Sequence, residues 1–216
     1  WNITAGRFGL PFGLLTGFSS SRLLYSTIAE EALGGIDVDN GLMVSGTIGR
    51  VEYGAALTQG LGPHSMPTFP GHGLATGRIG LVFGSSEEFS VGLSGVVGAV
   101  ESGGHEGQAT ARSLAAVDVT YAPGQVVLRG EGSAGSVNGD LYAVGHLGVD
   151  VVILPTVELT SAFRLIADHA YHDRWFVGIT FQLPWFTLRG GYTYAHLDSD
   201  HHRIAFQAYR LFTFTW

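Results

Sequence analysis

Arginine and histidine carry most of the chemistry this chain could do, and they are distributed differently. All eleven fixed positive charges are arginine, with no lysine, and most stand singly inside apolar, alternating segments. Arg78, Arg112, Arg129, Arg164, Arg189 and Arg203 are of this kind, accompanied by Asp118, Glu131, Asp150 and Glu158. Guanidinium groups along a water-filled lumen attract anions and replace part of their hydration. Phosphate, carboxylate sugars or small organic acids would be favoured. The same residues permit a plainer role, in which Arg129–Glu131, Glu158–Arg164 and Asp118–Arg112 pair with one another and fill a narrow interior.

Eight of the nine histidines lie between these segments or at their edges: His64, His72, His105, His169, His172, His196, His201 and His202. His146 is the exception. Stretches such as Asp168–Asp173 and His196–His202 combine imidazole and carboxylate, a donor set suited to zinc, copper or nickel. The blander reading, polar loops in a lysine-free chain, is preferred, so no metal or other cofactor is called for. Acid-rich loops would also suit calcium bridging to lipopolysaccharide. A catalytic reading has only scattered material: Ser161 with His146, or Ser199 with His201, outside any Gly-x-Ser-x-Gly motif. The expectation is that this is not an enzyme. With no cysteine there is no disulfide framework, thiolate site or haem-attachment motif.

The elements that must position these groups are strands. Segments near 2–10, 41–49, 51–59, 76–84, 88–100, 111–122, 125–134, 140–152, 156–167, 174–183, 185–195 and 203–216 alternate or run β-rich between Gly, Pro, Asn and Asp. Trp175, Val177, Ile179, Phe181 and Leu183 share one face of the tenth, against Phe176, Gly178, Thr180 and Gln182. The ninth opposes Val157, Leu159, Phe163 and Leu165 to Glu158, Thr160, Arg164 and Asp168. The eleventh opposes Phe186, Leu188, Tyr192 and Tyr194 to Thr187, Arg189 and Thr193. Only 13% of residues are charged, against about 25% in ordinary soluble domains. No apolar run approaches the roughly 20 residues of a membrane helix. Net charge is −7, which argues against nucleic acid as a partner.

The chain ends Arg210-Leu-Phe-Thr-Phe-Thr-Trp216, with aromatics at every second position. Left as an open edge in water, such a strand would aggregate. The ending resembles the C-terminal signature of Gram-negative outer-membrane β-barrel proteins. That resemblance implies an all-β, closed, up-and-down antiparallel transmembrane barrel of about 12 strands in one domain spanning 1–216. It also implies a location in the bacterial outer membrane and a secretory signal removed upstream. An even strand count puts both termini on the periplasmic side. Short connections such as Gly49-Arg50 and Pro123-Gly124 alternate with longer ones, as such barrels do; Gly135 to Gly139 is the shortest of the longer set. The first long connection carries Ser26-Thr-Ile-Ala-Glu-Glu-Ala-Leu33, a capping-box pattern for a short helix placed within the lumen or above it.

Lipid outside forces the polar set inward, because Arg at the bilayer midplane costs roughly 2–4 kcal/mol on the lipid face. Expected lumen residues are Glu52, Arg78, Arg112, Asp118, Arg129, Glu131, His146, Asp150, Glu158, Arg164, Arg189 and Arg203, with Arg7 expected to join them. Arg210 falls on the lipid face, either snorkelling or shifted by a bulge. Ala5–Gly13, Gly41–Gly46 and Val51–Gly60 resemble the opening segment of phosphate-selective porins. From that family only porin-like architecture is carried over, since lysine is absent and the strands are too few. The expected function is a porin or channel passing small anionic solutes through an Arg-lined lumen. The alternatives are a non-conducting anchoring barrel and a lipid-modifying outer-membrane enzyme. Expected partners are outer-membrane lipid and lipopolysaccharide, with a second copy or another envelope protein as further candidates. A soluble sandwich or lipocalin-like fold would need to hide Trp175, Phe181, Phe186, Tyr192, Phe212 and Trp216 in one core.

Overall fold

The computed structural model describes residues 1–14, 28–62, 72–84, 88–101, 109–168, 171–196 and 200–209. His64, His105, His169, Ser199, Arg210 and the terminal aromatic run lie outside these, as do Ser26 and Thr27 of the capping box.

Twelve strands follow in chain order: β1 (Asn2–Gly9), β2 (Val38–Ile48), β3 (Val51–Thr58), β4 (Leu74–Phe83), β5 (Phe89–Glu101), β6 (Ala109–Tyr121), β7 (Val126–Val137), β8 (Asp140–Leu154), β9 (Val157–Ala167), β10 (Tyr171–Gln182), β11 (Thr187–His196) and β12 (Asp200–Tyr209). Among the described residues one short α-helix, α1 (Ile28–Ala32), lies between β1 and β2. Each strand pairs antiparallel with the next, in one sheet ordered β1 to β12. Over the described residues the expected segments and these strands agree to within a few residues, because period-two alternation marks a strand wherever one face meets an apolar medium.

β6 illustrates that alternation. Leu114, Ala116 and Asp118 are buried, whereas Ala115 and Val117 between them are exposed. Outward positions elsewhere carry large apolar groups in the open: Leu93, Val97, Leu147, Val177 and Phe206. Aromatic contacts mark one end of this surface and its middle. Phe83–Phe89 and Phe89–Tyr121, with ring centroids 5.8 and 6.4 Å apart, lie beside short turns. Phe163 and Trp175, 4.4 Å apart, lie near the middle of their strands.

The buried core belongs to the first connection. Phe8, Leu10, Phe12, Ile28, Leu33 and Ile36 pack with Leu74, Val96, Val100, Leu114, Tyr142 and Val144 from the inner faces of β4, β5, β6 and β8. Of the two places open to this connection, it takes the inner one. The sheet curves round it far enough for β5, β7 and β9 all to bond to it: Gly13 N–H donates to Ser94 Oγ, Leu14 N–H to Glu131 Oε1, and Arg164 Nη1 to Glu31 Oε1. The large rings named for a soluble core, Trp175, Phe181, Phe186 and Tyr192, are exposed instead.

Two expectations need correction. The connection read at Gly135 to Gly139 is a two-residue hairpin, because Val137 pairs with Asp140 and leaves only Asn138 (φ 53°) and Gly139 (φ 94°) between them. Both have positive φ, as a type I′ turn demands. Arg7 does not join the inner set. It pairs with Asn40 and is exposed, while Phe8, paired with Asp39, takes the buried side. Its position two residues from the end of β1 puts the charge near the rim, where an outward Arg costs little.

Candidate functional site

Paired residues on neighbouring strands share a face, so the register fixes where the polar side chains go. One inner row runs Glu52, Gly80, Gly92, Asp118, Glu131, His146, Arg164 and Arg174 across β3 to β10. A second runs Val152, Glu158, Thr180, Arg189 and Gln207 across β8 to β12. Arg78, Arg112, Arg129, Asp150 and Arg203 occupy the same face at other heights. Arg174 was missed in the sequence. It opens the tenth expected segment and its face is readable by counting from Trp175, but it was not carried into the inner set.

The inner arginines divide into two groups. Arg78 reaches over β5 to Asp118 on β6, with Nε–Oδ2 at 3.1 Å and Nη2–Oδ1 at 2.6 Å. It can do so because Gly92 lies beneath; a Cβ there would strike both the guanidinium and the carboxylate. Arg129 pairs with Asp150, two residues beyond its direct cross-strand partner Gly148. Arg112 donates to the main-chain oxygens of Glu31 and Ala32 and so caps the end of α1. Arg164 and Arg174 both turn to Glu31 Oε1, at 2.9 and 3.7 Å. The pairs foreseen from neighbouring sequence, Arg129–Glu131, Glu158–Arg164 and Asp118–Arg112, are replaced by these partners. Glu131 accepts from the first connection's backbone instead.

Arg189 and Arg203 form the second group. Arg189 lies against the Tyr209 ring, 5.2 Å from its centroid, and its Nε and Nη1 have no hydrogen-bond acceptor among the described residues. Arg203 is exposed and stands opposite Thr193. Among the described residues neither makes an ion pair, so the β11–β12 wall holds the inner guanidiniums that are not committed to the fold.

Elsewhere, a cavity of about 720 Å³ lies at the short-turn end, roofed by Pro11 and Leu14 and bordered by Ser45, Glu52, Arg78 and Thr120. Asp39 is a further buried carboxylate that the sequence reading did not single out. It accepts backbone N–H bonds from Asn40, Gly60 and Gly62 and ties the start of β2 to the end of the β3 hairpin.

The histidine stretches make small polar contacts at or near the end that carries the longer connections. His196 Nδ1 is 2.8 Å from Asp200 Oδ1, Tyr194 also donates to that oxygen, and His202 lies 2.6 Å from Tyr192 Oη. His172 and Asp168 are 3.7 Å apart. Among the described residues no three acids and histidines gather as a metal site. Ser161 pairs with the outward Val149 and Val177, so it stands on the opposite face from His146, and the two cannot share a reaction.

No family model and no curated protein matches the chain. Solved structures do. An anion-selective porin from Comamonas acidovorans aligns with TM-score 0.64 at 15% identity, covering 89% of this chain and 63% of that one. OmpT of Vibrio cholerae, described as outer-membrane expressed, aligns with TM-score 0.64 at 11% identity, covering 89% and 66%. A further porin gives TM-score 0.61 at 11% identity, covering 95% and 74%. The chain therefore spans less than two thirds of the length of the first two. The likeness establishes the fold: an antiparallel, up-and-down sheet of the bacterial outer-membrane porin kind.

Proposed function

We propose that this chain works in the bacterial outer membrane as a porin-like channel passing small anionic solutes. In this reading β12 closes against β1 in a single barrel domain, both termini face the periplasm, and the outward apolar belt meets lipid and lipopolysaccharide. Solute follows the wall of β9 to β12, past Arg189 and Arg203. The observation that carries the reading is the division of the inner arginines: Arg78, Arg112, Arg129, Arg164 and Arg174 are spent on carboxylates or helix carbonyls, while among the described residues Arg189 and Arg203 are not. Anion selectivity in one structural neighbour fits this chemistry. Guanidinium groups aimed into a water path lower the barrier for anions and raise it for cations.

Reconstitution in planar bilayers tests it. Discrete conductance steps with anion preference are expected, and the Arg189→Gln, Arg203→Gln double variant should bring the permeability ratio toward unity. Arg129→Gln combined with Asp150→Asn should leave that ratio alone, because the pair removed is neutral as a whole. Unchanged selectivity in the Arg189→Gln, Arg203→Gln variant would place the path elsewhere. A second reading has its own support in the apolar first connection, which fills the β4–β8 side of the interior. Silent bilayers would favour that reading, a plugged barrel that anchors a partner and conducts nothing.

A further inference from the structure

Arg164 and Arg174 stand directly opposite each other on β9 and β10, both on the inner face. Like charges in directly opposed positions destabilise a sheet, and an anion between them offsets the repulsion. Here that anion is Glu31. Its Oε1 is 2.9 Å from Arg164 Nη1 and 3.7 Å from Arg174 Nη1. Glu31 does not belong to the wall; it comes from α1, in the inserted first connection. The Arg164 side chain is only 4% exposed, whereas those of Glu31 and Arg174 are 33% and 36% exposed, so one side of the bridge is open to water. Two guanidiniums converging on one carboxylate oxygen make a recognition geometry for carboxylates generally.

We propose that Arg164 and Arg174 form a binding site for small carboxylate anions, occupied in this structure by the protein's own Glu31. A free carboxylate competes with a tethered one. The tether gives Glu31 an effective concentration in the mM range, so a solute engages the site only at comparable concentration or when Glu31 is removed. When a solute does engage it, the Glu31 link between α1 and the wall is released, while the Arg112 cap and the Gly13 and Leu14 bonds still hold the inserted segment.

The test uses the full chain folded in detergent and propionate, which has the carbons and carboxylate of the Glu31 side chain beyond Cα, all but Cβ of which Glu31→Ala deletes. Isothermal titration should give saturable propionate binding to Glu31→Ala, weaker in the wild type by on the order of ten-fold because the tethered carboxylate competes. Adding Arg174→Gln to Glu31→Ala should abolish it. No gain in Glu31→Ala, or binding that survives Arg174→Gln, overturns the proposal. If Glu31→Ala fails to fold, propionate should restore its refolding yield relative to chloride at equal ionic strength, and failure to restore it overturns the proposal equally. Heats of binding need no conducting pore, so silent bilayers would count against the channel and leave this site standing.

Discussion

Gly92 places a charge by having no side chain. Arg78 and Asp118 are two strands apart, and the guanidinium crosses the intervening strand only because position 92 is bare. Both charged residues were legible in the sequence as inward-facing; their partnership was not. Reasoning from nearby sequence joined Asp118 to Arg112, which instead caps a helix that no strand pattern could locate. Gly92→Val should push the pair apart and leave Asp118, with a side chain wholly buried, short of its counter-charge. Breaking a buried pair in this way costs about 3–5 kcal/mol. Urea unfolding in lipid vesicles should report a loss of that order, and a change within a few tenths would mean that water already supports Asp118.

At the scale of elements, the strands were readable and the connections less so. The β7–β8 connection looked like a short loop because its glycines span 135–139, yet the ladder continues to Val137 and resumes at Asp140. Asn138 holds φ 53°, a conformation that Asn tolerates and a β-branched residue resists. Asn138→Val should cost about 1–3 kcal/mol, read as a lowered urea midpoint. The first connection presents the opposite case. Its helix signal was visible, but its position depends on the inner faces of four strands distant in sequence. Phe12 is fully buried there, and Phe12→Ala should cost about 3–5 kcal/mol through the cavity it leaves. Under the channel reading, the same variant should also raise single-channel conductance, since the inserted segment narrows the path.

For the whole molecule, the solvent on the outside is the main variable. Leu147 sits at the middle of β8 and is 65% exposed, and Leu141, near one end of the same strand, is 80% exposed. On a protein surrounded by water, arginine at either position would change stability by no more than about 0.5 kcal/mol. In a bilayer the two must differ: about 2–4 kcal/mol lost at the midplane and about 0–1 near the interface. Folding Leu147→Arg and Leu141→Arg into vesicles and comparing their unfolding free energies measures that difference directly. Equal, small effects would remove the membrane from the account.

The sequence by itself determined the number of strands and, outside β1, the face that most inner charges take. Alternation between two media is written residue by residue, and the cost of a charge in hydrocarbon leaves little choice of side. Only the tertiary structure decided that the first connection lies inside the sheet and which arginines it and the wall consume. Glu31 and Arg164 are 133 residues apart in the chain, and nothing in the local pattern of either names the other. Such a contact follows from the curvature of the sheet and the reach of a side chain across it, quantities that exist only once every strand is in place.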